Sequence, residues 1–149
     1  MSKELATIKP ETIARLDEIA RDYQIAKIDQ SPFSATFSTA IALNELRSLL
    51  TADVMRPIMQ LMNTPLGFLT DRNGRPNWKG ETKPTYTEEV VRDAVIEATL
   101  RGFFVVGNEF NLLAERFYAA KAGLRRKVTT FPGLTNFSHS YSSMVLSYM

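Results

Sequence analysis

The stretch from Gly102 to Val128 constrains the fold more than any other part of this 149-residue chain. It contains an apolar run at 103–106, the turn-forming pair Gly107-Asn108, a second apolar run from Phe110 and a basic end. Aromatic and β-branched residues favour strands, and Gly-Asn favours a tight turn. The pattern therefore predicts two paired strands, the second running from Phe110 to about Phe117. The Ala-, Lys- and Arg-rich residues after them predict a helix over about 119–130.

Helices are predicted upstream of this stretch, from apolar spacing and from residues typical of helix N-termini. The first begins at Pro10 and ends near 24, and the second begins at Ser31-Pro32 and ends near 50. The third begins after Thr51, and the fourth, up to Gly102, begins at a Thr85-x-x-Glu88 capping box, with Thr87 as a competing N-cap. The buried stripe predicted for the second helix is Phe33, Phe37, Ile41, Leu46 and Leu50. Ion pairs between residues four apart are predicted for Glu88 with Arg92 and for Glu97 with Arg101.

These elements predict an α+β fold, with N-terminal helices, a small antiparallel sheet and a basic helix that follows the hairpin. Residues 1–30 are predicted to form an N-terminal helix and connector. Residues 31–133 form a single core domain with a mobile loop at about 70–86, and residues 134–149 form a C-terminal tail. Residues 66–69 are a candidate short strand.

Positive charge is concentrated in the second half of the chain. Residues 1–70 carry 7 basic and 8 acidic residues, whereas residues 71–149 carry 11 and 8, and no acid follows Glu115. An asymmetry of this kind suggests an acidic partner, most commonly nucleic acid. A solvated helix face explains the charges after Glu115 equally well. The candidate phosphate-binding residues are Arg116, Lys121, Arg125, Arg126 and Lys127.

A second candidate region is the loop around Trp78, the only tryptophan of the chain. Arg75 and Lys79 flank it, and an aromatic ring beside cations is a common way of holding a single strand. Tyr118 is a further candidate stacking residue. The alternative is a surface loop whose tryptophan is tucked against the core.

Several kinds of chemistry are excluded or weakly supported. The chain has no cysteine and no Gly-rich phosphate loop that ends in Lys-Ser or Lys-Thr. Its only histidine, His139, lies in a Ser-rich tail, which is a poor basis for a hydrolase. Asp93 and Glu97 share a helix face and could bind a divalent cation, but no third ligand is visible. We therefore expect no enzyme, no cofactor and no metal. The lack of a signal peptide or membrane span predicts a cytoplasmic protein.

Residues 45–128 resemble the phage-encoded single-strand annealing proteins of the RecT/Redβ type. The most specific match is Gly107-Asn-Glu-Phe-Asn-Leu-Leu-Ala114. The other matching stretches are 50–59, 64–71 and 90–98, together with Gly102, Tyr118, Lys121 and Gly123. Proteins of this type continue further beyond the equivalent of Gly133, so the resemblance is to a short or truncated relative.

The resemblance implies ATP-independent binding of single-stranded DNA, strand annealing in homologous recombination, and assembly into rings or filaments in the cytoplasm of a bacterial host. The alternative is a phage structural or regulatory interaction protein that acts through self-association. Under the first hypothesis, changes at Phe104 or Phe110 are expected to unfold the domain. Changes at Arg125 or Arg126 are expected to weaken DNA binding and leave the fold intact.

Overall fold

The computed structural model describes residues 8–129, which form five α-helices and a three-stranded mixed sheet and confirm the predicted α+β fold. The predicted tail at 134–149 lies outside the described residues. The elements, in chain order, are α1 (Pro10–Ala26) with a 3-10 turn (Lys27–Asp29), α2 (Pro32–Leu49), α3 (Ala52–Leu61), β1 (Leu69–Thr70), α4 (Glu88–Leu100), β2 (Phe110–Leu113), β3 (Arg116–Ala119) and α5 (Lys121–Thr129).

The helices begin where the sequence signals place them. Pro10 and Pro32 occupy the first helical positions of α1 and α2, where a missing backbone N–H costs nothing. The Thr51 hydroxyl accepts a hydrogen bond from the amide of Val54 at the start of α3. At the start of α4, Thr87 rather than Thr85 is the N-cap, and it accepts from the amide of Val90.

Helix α4 is the centre of the domain, because it contacts α1, α2, α3 and both strands of the hairpin. Its buried residues are Val91, Ala94, Val95, Ile96, Ala98 and Leu100. It also carries both predicted ion pairs, the partly buried Glu88–Arg92 at 2.6 Å and the exposed Glu97–Arg101 at 2.8 Å. The aromatic part of the core lies on the sheet, where the Phe110 ring stacks between Phe68 and Phe117.

The hairpin exists, but it is displaced along the chain from its predicted position. Strands β2 and β3 pair antiparallel, with Asn111 opposite Tyr118, and they are joined by Ala114 and Glu115. Both joining residues have positive φ, 50° and 63°, as a two-residue turn of this type requires. Strand β1 pairs with β2 in parallel, so the sheet is mixed.

The predicted strand at 103–106 is wrong: these residues form an irregular segment between α4 and β2. The Gly107-Asn108 pair does adopt positive φ, but its amides donate to the carbonyls of Leu66 and Gly67 at 3.0 and 2.8 Å. It therefore fixes the segment to the residues before β1 and does not close a hairpin.

The predicted buried stripe of α2 is also wrong over its first half. Phe33 is 76% exposed, and Phe37 and Ile41 are exposed as well, whereas Ala42 and Leu46 are buried. Helices α1 and α4 pack on the face of α2 that contains Ala42 and Leu46. The three exposed residues Phe33, Phe37 and Ile41, which we call the α2 stripe, lie four residues apart and share one outer face of the helix.

Candidate nucleic-acid interface

Glu109 organises the segment between α4 and β2. The residue is 6% exposed, and its carboxylate accepts two hydrogen bonds from the Arg126 guanidinium, at 2.6 and 2.9 Å. It also accepts from the backbone amide of Phe104 at 2.8 Å. Arg126 in turn donates to the carbonyl of Gly102 at 2.7 Å. The buried Glu109 carboxylate, together with Arg126, thus connects α5 to the segment 102–104 that follows α4.

This finding corrects the expectation that a change at Arg126 leaves the fold intact. The Arg126 side chain is partly buried, and its removal would leave the buried Glu109 carboxylate without its main charged partner. Breaking a buried ion pair on one side is strongly destabilising. Arg126 therefore acts at least partly as a structural residue.

The close approach of α5 depends on Gly123. A Cβ atom at this position would lie 2.5 Å from the Glu109 carbonyl oxygen and 2.5 Å from the Phe103 ring. Only glycine permits this contact, which presses the basic helix onto the segment that contains Glu109.

Four cations from three elements meet beside this segment, and we call them the basic cluster: Lys27, Arg101, Arg126 and Lys127. The Lys127 ammonium donates to the Arg101 carbonyl at 2.7 Å, and Lys27 and Arg101 line the same surface groove. Burial lowers the pKa of Lys127, and the charges of Lys27, Arg126 and Arg101 lower it further against the opposing effect of Glu109. Like charges are thus held close together at this point of the fold.

Three cations of the cluster, Arg101, Arg126 and Lys127, each lie over an aromatic ring. The guanidinium carbon of Arg126 is 3.9 Å from the centroid of the Phe104 ring. Lys127 lies 4.8 Å from the centroid of Phe103, and Arg101 lies 5.7 Å from that of Phe117. These contacts help to fix the positions of the charged groups.

Two grooves border the basic cluster, with the last turns of α1 between them. One has a volume of about 560 Å³, lies between α1 and residues 99–106, and contains Phe104 and Arg126; we call it the Phe104 groove. The other, of about 540 Å³, lies between α1, α2 and α4 and contains Lys27 and Arg101. Tyr23 lines the second groove, and Gln24, the next residue, lines the first.

The structure separates the residues predicted to bind DNA into two groups. Arg126 and Lys127 belong to the basic cluster, and Arg125 and Lys121 are exposed on the same helix, α5. Arg116 and Tyr118 are exposed on β3, with Arg116 at the end of the strand away from α5. That end lies beside the loop at residues 71–87, because the turn at Ala114 and Glu115 is bonded to it.

The 71–87 loop, which connects β1 to α4, has no helix or strand. Trp78 is 88% exposed and therefore does not pack against the core. The Lys79 ammonium lies 5.0 Å from the centroid of the Trp78 ring, and Arg75 is also exposed. The Asn77 side chain accepts from the amides of Lys79 and Glu81, which makes the loop tip a locally closed turn.

The base of this loop is attached to the hairpin through Tyr86, which is buried. Its hydroxyl donates to the Asp71 carboxylate and accepts from the amide of Glu115 at 3.1 Å. Burial raises the pKa of Asp71, but the hydrogen bonds from Tyr86 and from the Ala114 amide outweigh it, so that the pKa is lowered. The loop is thus anchored at its base and exposed at its tip.

Sequence reasoning missed three functional candidates: Lys27, Arg101 and Glu109. Arg101 was predicted only to pair with Glu97, and Lys27 belongs to a half of the chain with slight net negative charge. Glu109 stands within the stretch of most specific resemblance, but nothing in its local sequence indicates a buried partner 17 residues away. All three depend on contacts between distant segments.

Metal binding finds no support in the part of the chain that the structure describes. Within residues 8–129, no three side chains of His, Asp or Glu are placed to hold a cation. Asp93 lies 3.7 Å from Arg47, and Glu97 pairs with Arg101. Across the same residues, none of the helices has the length and apolar character that crossing a bilayer requires.

Comparison with protein-family models, with curated proteins and with solved structures finds no match for this chain.

Proposed function

We propose that this protein binds single-stranded DNA without ATP and promotes the annealing of complementary strands in phage-type homologous recombination. In this proposal it acts as a homo-oligomer, a ring or a filament, in the cytoplasm of the bacterial host. The observation that carries the proposal is the basic cluster, in which cations from the end of α1, the end of α4 and α5 converge beside exposed aromatic surface.

Holding like charges close together costs free energy. Burial lowers the pKa of Lys127, three nearby cations lower it further, and Glu109 offsets only part of this effect. Perturbed groups of this kind concentrate at functional sites. A phosphodiester backbone would bring negative charge to the cluster, and release of its counterions would drive binding. Arg125 and Lys121, exposed on α5, would extend the contact along the same helix.

The test compares two lysines at opposite ends of α1. Lys27 belongs to the basic cluster, whereas Lys9 lies about 25 Å away, since a helix rises ~1.5 Å per residue. Binding of a fluorescent oligothymidylate is measured by anisotropy over a series of salt concentrations. We expect Lys27→Ala to weaken binding and to reduce the slope of log affinity against log salt by about 0.7, with Lys9→Ala unchanged.

Annealing is measured separately, from the rate at which two labelled complementary oligonucleotides pair in the absence of ATP. We expect the wild-type protein to accelerate pairing and Lys27→Ala to slow it. Binding that is undetectable, or that does not respond to salt, would contradict the proposal.

A second candidate function is supported by the α2 stripe. Phe33, Phe37 and Ile41 form an exposed apolar row, and surfaces of this kind commonly mark protein–protein contacts. They favour a phage structural or regulatory protein that acts through self-association. Light-scattering mass measurements with and without single-stranded DNA, at low and high salt, separate the two functions. A defined oligomer that ignores DNA would favour the second.

A further inference from the structure

The Phe104 groove is large enough for a small ligand, and it has one polar wall and one apolar wall. Its volume of about 560 Å³ falls within the range of small-molecule sites. One wall is the polar face of α1, with Asp17, Arg21 and Gln24, and the other is the apolar segment at 103–106. Arg126 lies at the junction with the basic cluster. A ligand here would meet an aromatic surface and positive charge at the same time.

The Phe104 side chain is placed differently from its neighbour Phe103. Phe103 is buried against Phe117, whereas Phe104 is 54% exposed. This exposure contradicts the expectation that changes at Phe104 unfold the domain. Exposure of a single phenylalanine is ordinary, but this ring is also held in a fixed position within a groove.

Two contacts hold Phe104 in place. Its amide donates to Glu109, and the Arg126 guanidinium covers its ring at 3.9 Å from the centroid. Arg126 is itself fixed by Glu109 and by the Gly102 carbonyl. The ring is therefore ordered before a ligand arrives, which reduces the entropy lost on binding.

A nucleobase suits this site better than an apolar side chain. Every base has a flat π face that stacks on an aromatic ring, and its attached phosphates require cations nearby. The basic cluster continues from Arg126 through Lys127 and Arg101 to the second groove. A base in the Phe104 groove would place its backbone beside these charges.

We propose, on the basis of the proposed DNA-binding function, that Phe104 is a stacking platform. A base of single-stranded DNA enters the Phe104 groove and stacks on the face of the ring opposite Arg126, while the adjacent phosphates contact the basic cluster. This assigns to Phe104 the role that the sequence suggested for Trp78 and Tyr118.

The experiment uses Phe104→Leu, which keeps apolar bulk and removes the ring, and Phe104→Tyr, which keeps the ring. Ile13→Ala, which truncates an exposed apolar residue near the start of α1, is the control. Affinity for oligothymidylate is measured by anisotropy, and circular dichroism confirms folding. We expect Phe104→Leu to lose about 5- to 100-fold in affinity, with Phe104→Tyr and Ile13→Ala near the wild type.

An oligonucleotide of abasic sites isolates the stacking contribution, since it keeps the phosphates and lacks the bases. We expect the wild type and Phe104→Leu to bind this strand equally. If the wild type binds oligothymidylate but Phe104→Leu resembles Ile13→Ala, the stacking platform is wrong and the proposed function stands. If the wild type does not bind DNA at all, both are wrong.

A measurement on the wild-type protein covers the case in which Phe104→Leu does not fold. An oligonucleotide that contains 5-iodouracil is irradiated in the complex, and the crosslinked peptide is identified by mass spectrometry. A crosslink at Phe104 supports the proposal. Crosslinks confined to other residues overturn it. A Phe104→Leu variant that changes oligomeric mass and leaves DNA affinity unaltered also overturns it, because that result indicates a protein-docking groove.

Discussion

The basic cluster and the 71–87 loop contain the same kinds of residue, arginine and lysine beside aromatic rings, but they are built differently. In the cluster, contacts between distant segments fix the cations, with Glu109 and Arg126 joined across 17 residues. In the loop, the tip is closed by its own Asn77 side chain, and Trp78 is exposed. The two regions lie near opposite ends of the short β3 strand.

The comparison shows that similar local composition does not imply similar placement in the fold. A sequence window records which residues stand near one another along the chain, and by that measure the loop and the basic helix are equal candidates. The fold adds Lys27 and Arg101 to the helix. In contrast, Trp78 is exposed, and the cation over its ring, Lys79, belongs to the same loop. A preorganised site binds with a smaller entropic cost than a flexible one. We therefore propose that the cluster, and not the loop, makes the main contact with DNA.

The largest effect on stability is expected from removing the Glu109 carboxylate, which organises the basic cluster. Glu109→Ala leaves the partly buried Arg126 without its ion pair and the Phe104 amide without its acceptor. We expect the free energy of unfolding to fall by about 3 kcal/mol. Chemical denaturation followed by circular dichroism measures the change.

Glu97→Ala is the matched control, because Glu97 also pairs with an arginine but is exposed. Exposed pairs contribute little, so we expect a change within about 0.5 kcal/mol. Equal destabilisation by the two variants would show that Glu109 has no special organising role.

The helical part of this fold could be predicted from the sequence because its signals are local. Pro10, Thr51 and Thr87 start helices through contacts within a single turn, and the pairs on α4 span four residues. The basic helix after the hairpin follows from composition alone. These features depend on nothing outside their own segments.

The remaining features depend on which segments meet. The apolar residues at 103–106 read as a strand, but Glu109 binds the Phe104 amide and the next turn bonds to residues 66 and 67. On α2, two apolar faces with helical spacing compete, and the packing of α1 and α4 selects the one with Leu46. For the same reason, the sequence predicts only part of the site. It indicates Lys127, which follows other basic residues, but it does not indicate Lys27.

An intermediate effect is expected at the base of the loop. Tyr86→Phe removes the hydrogen bond to Asp71 and the acceptor for the Glu115 amide, and should cost about 1 kcal/mol. The pKa of Asp71 is lowered in the folded protein, so its ionised form favours folding. That contribution is present above its ordinary pKa of about 3.9 and is lost as pH falls through the lower folded pKa.

The measurement is the free energy of unfolding from neutral pH down to the acid range. We expect Tyr86→Phe to raise the pKa of Asp71 and to weaken the loss of stability at acid pH. Tyr118→Phe is the control, because Tyr118 is an exposed tyrosine on β3. Identical acid profiles for the wild type and Tyr86→Phe would mean that the hydroxyl does not hold Asp71 ionised.

The smallest effect on stability is expected at the tip of the loop. Trp78 is 88% exposed, so Trp78→Ala should change the free energy of unfolding by less than about 0.5 kcal/mol. Because it is the only tryptophan of the chain, its fluorescence reports on the loop alone. We expect acrylamide to quench it efficiently, and Glu109→Ala to leave the emission spectrum of the folded protein unchanged.

Affinity for single-stranded DNA provides the decisive comparison between the two regions. If the cluster makes the main contact, Trp78→Ala loses less affinity than Phe104→Leu. The opposite order would transfer the stacking role to the loop, and it would show that an exposed aromatic on a locally closed turn binds bases better than a ring fixed in a groove.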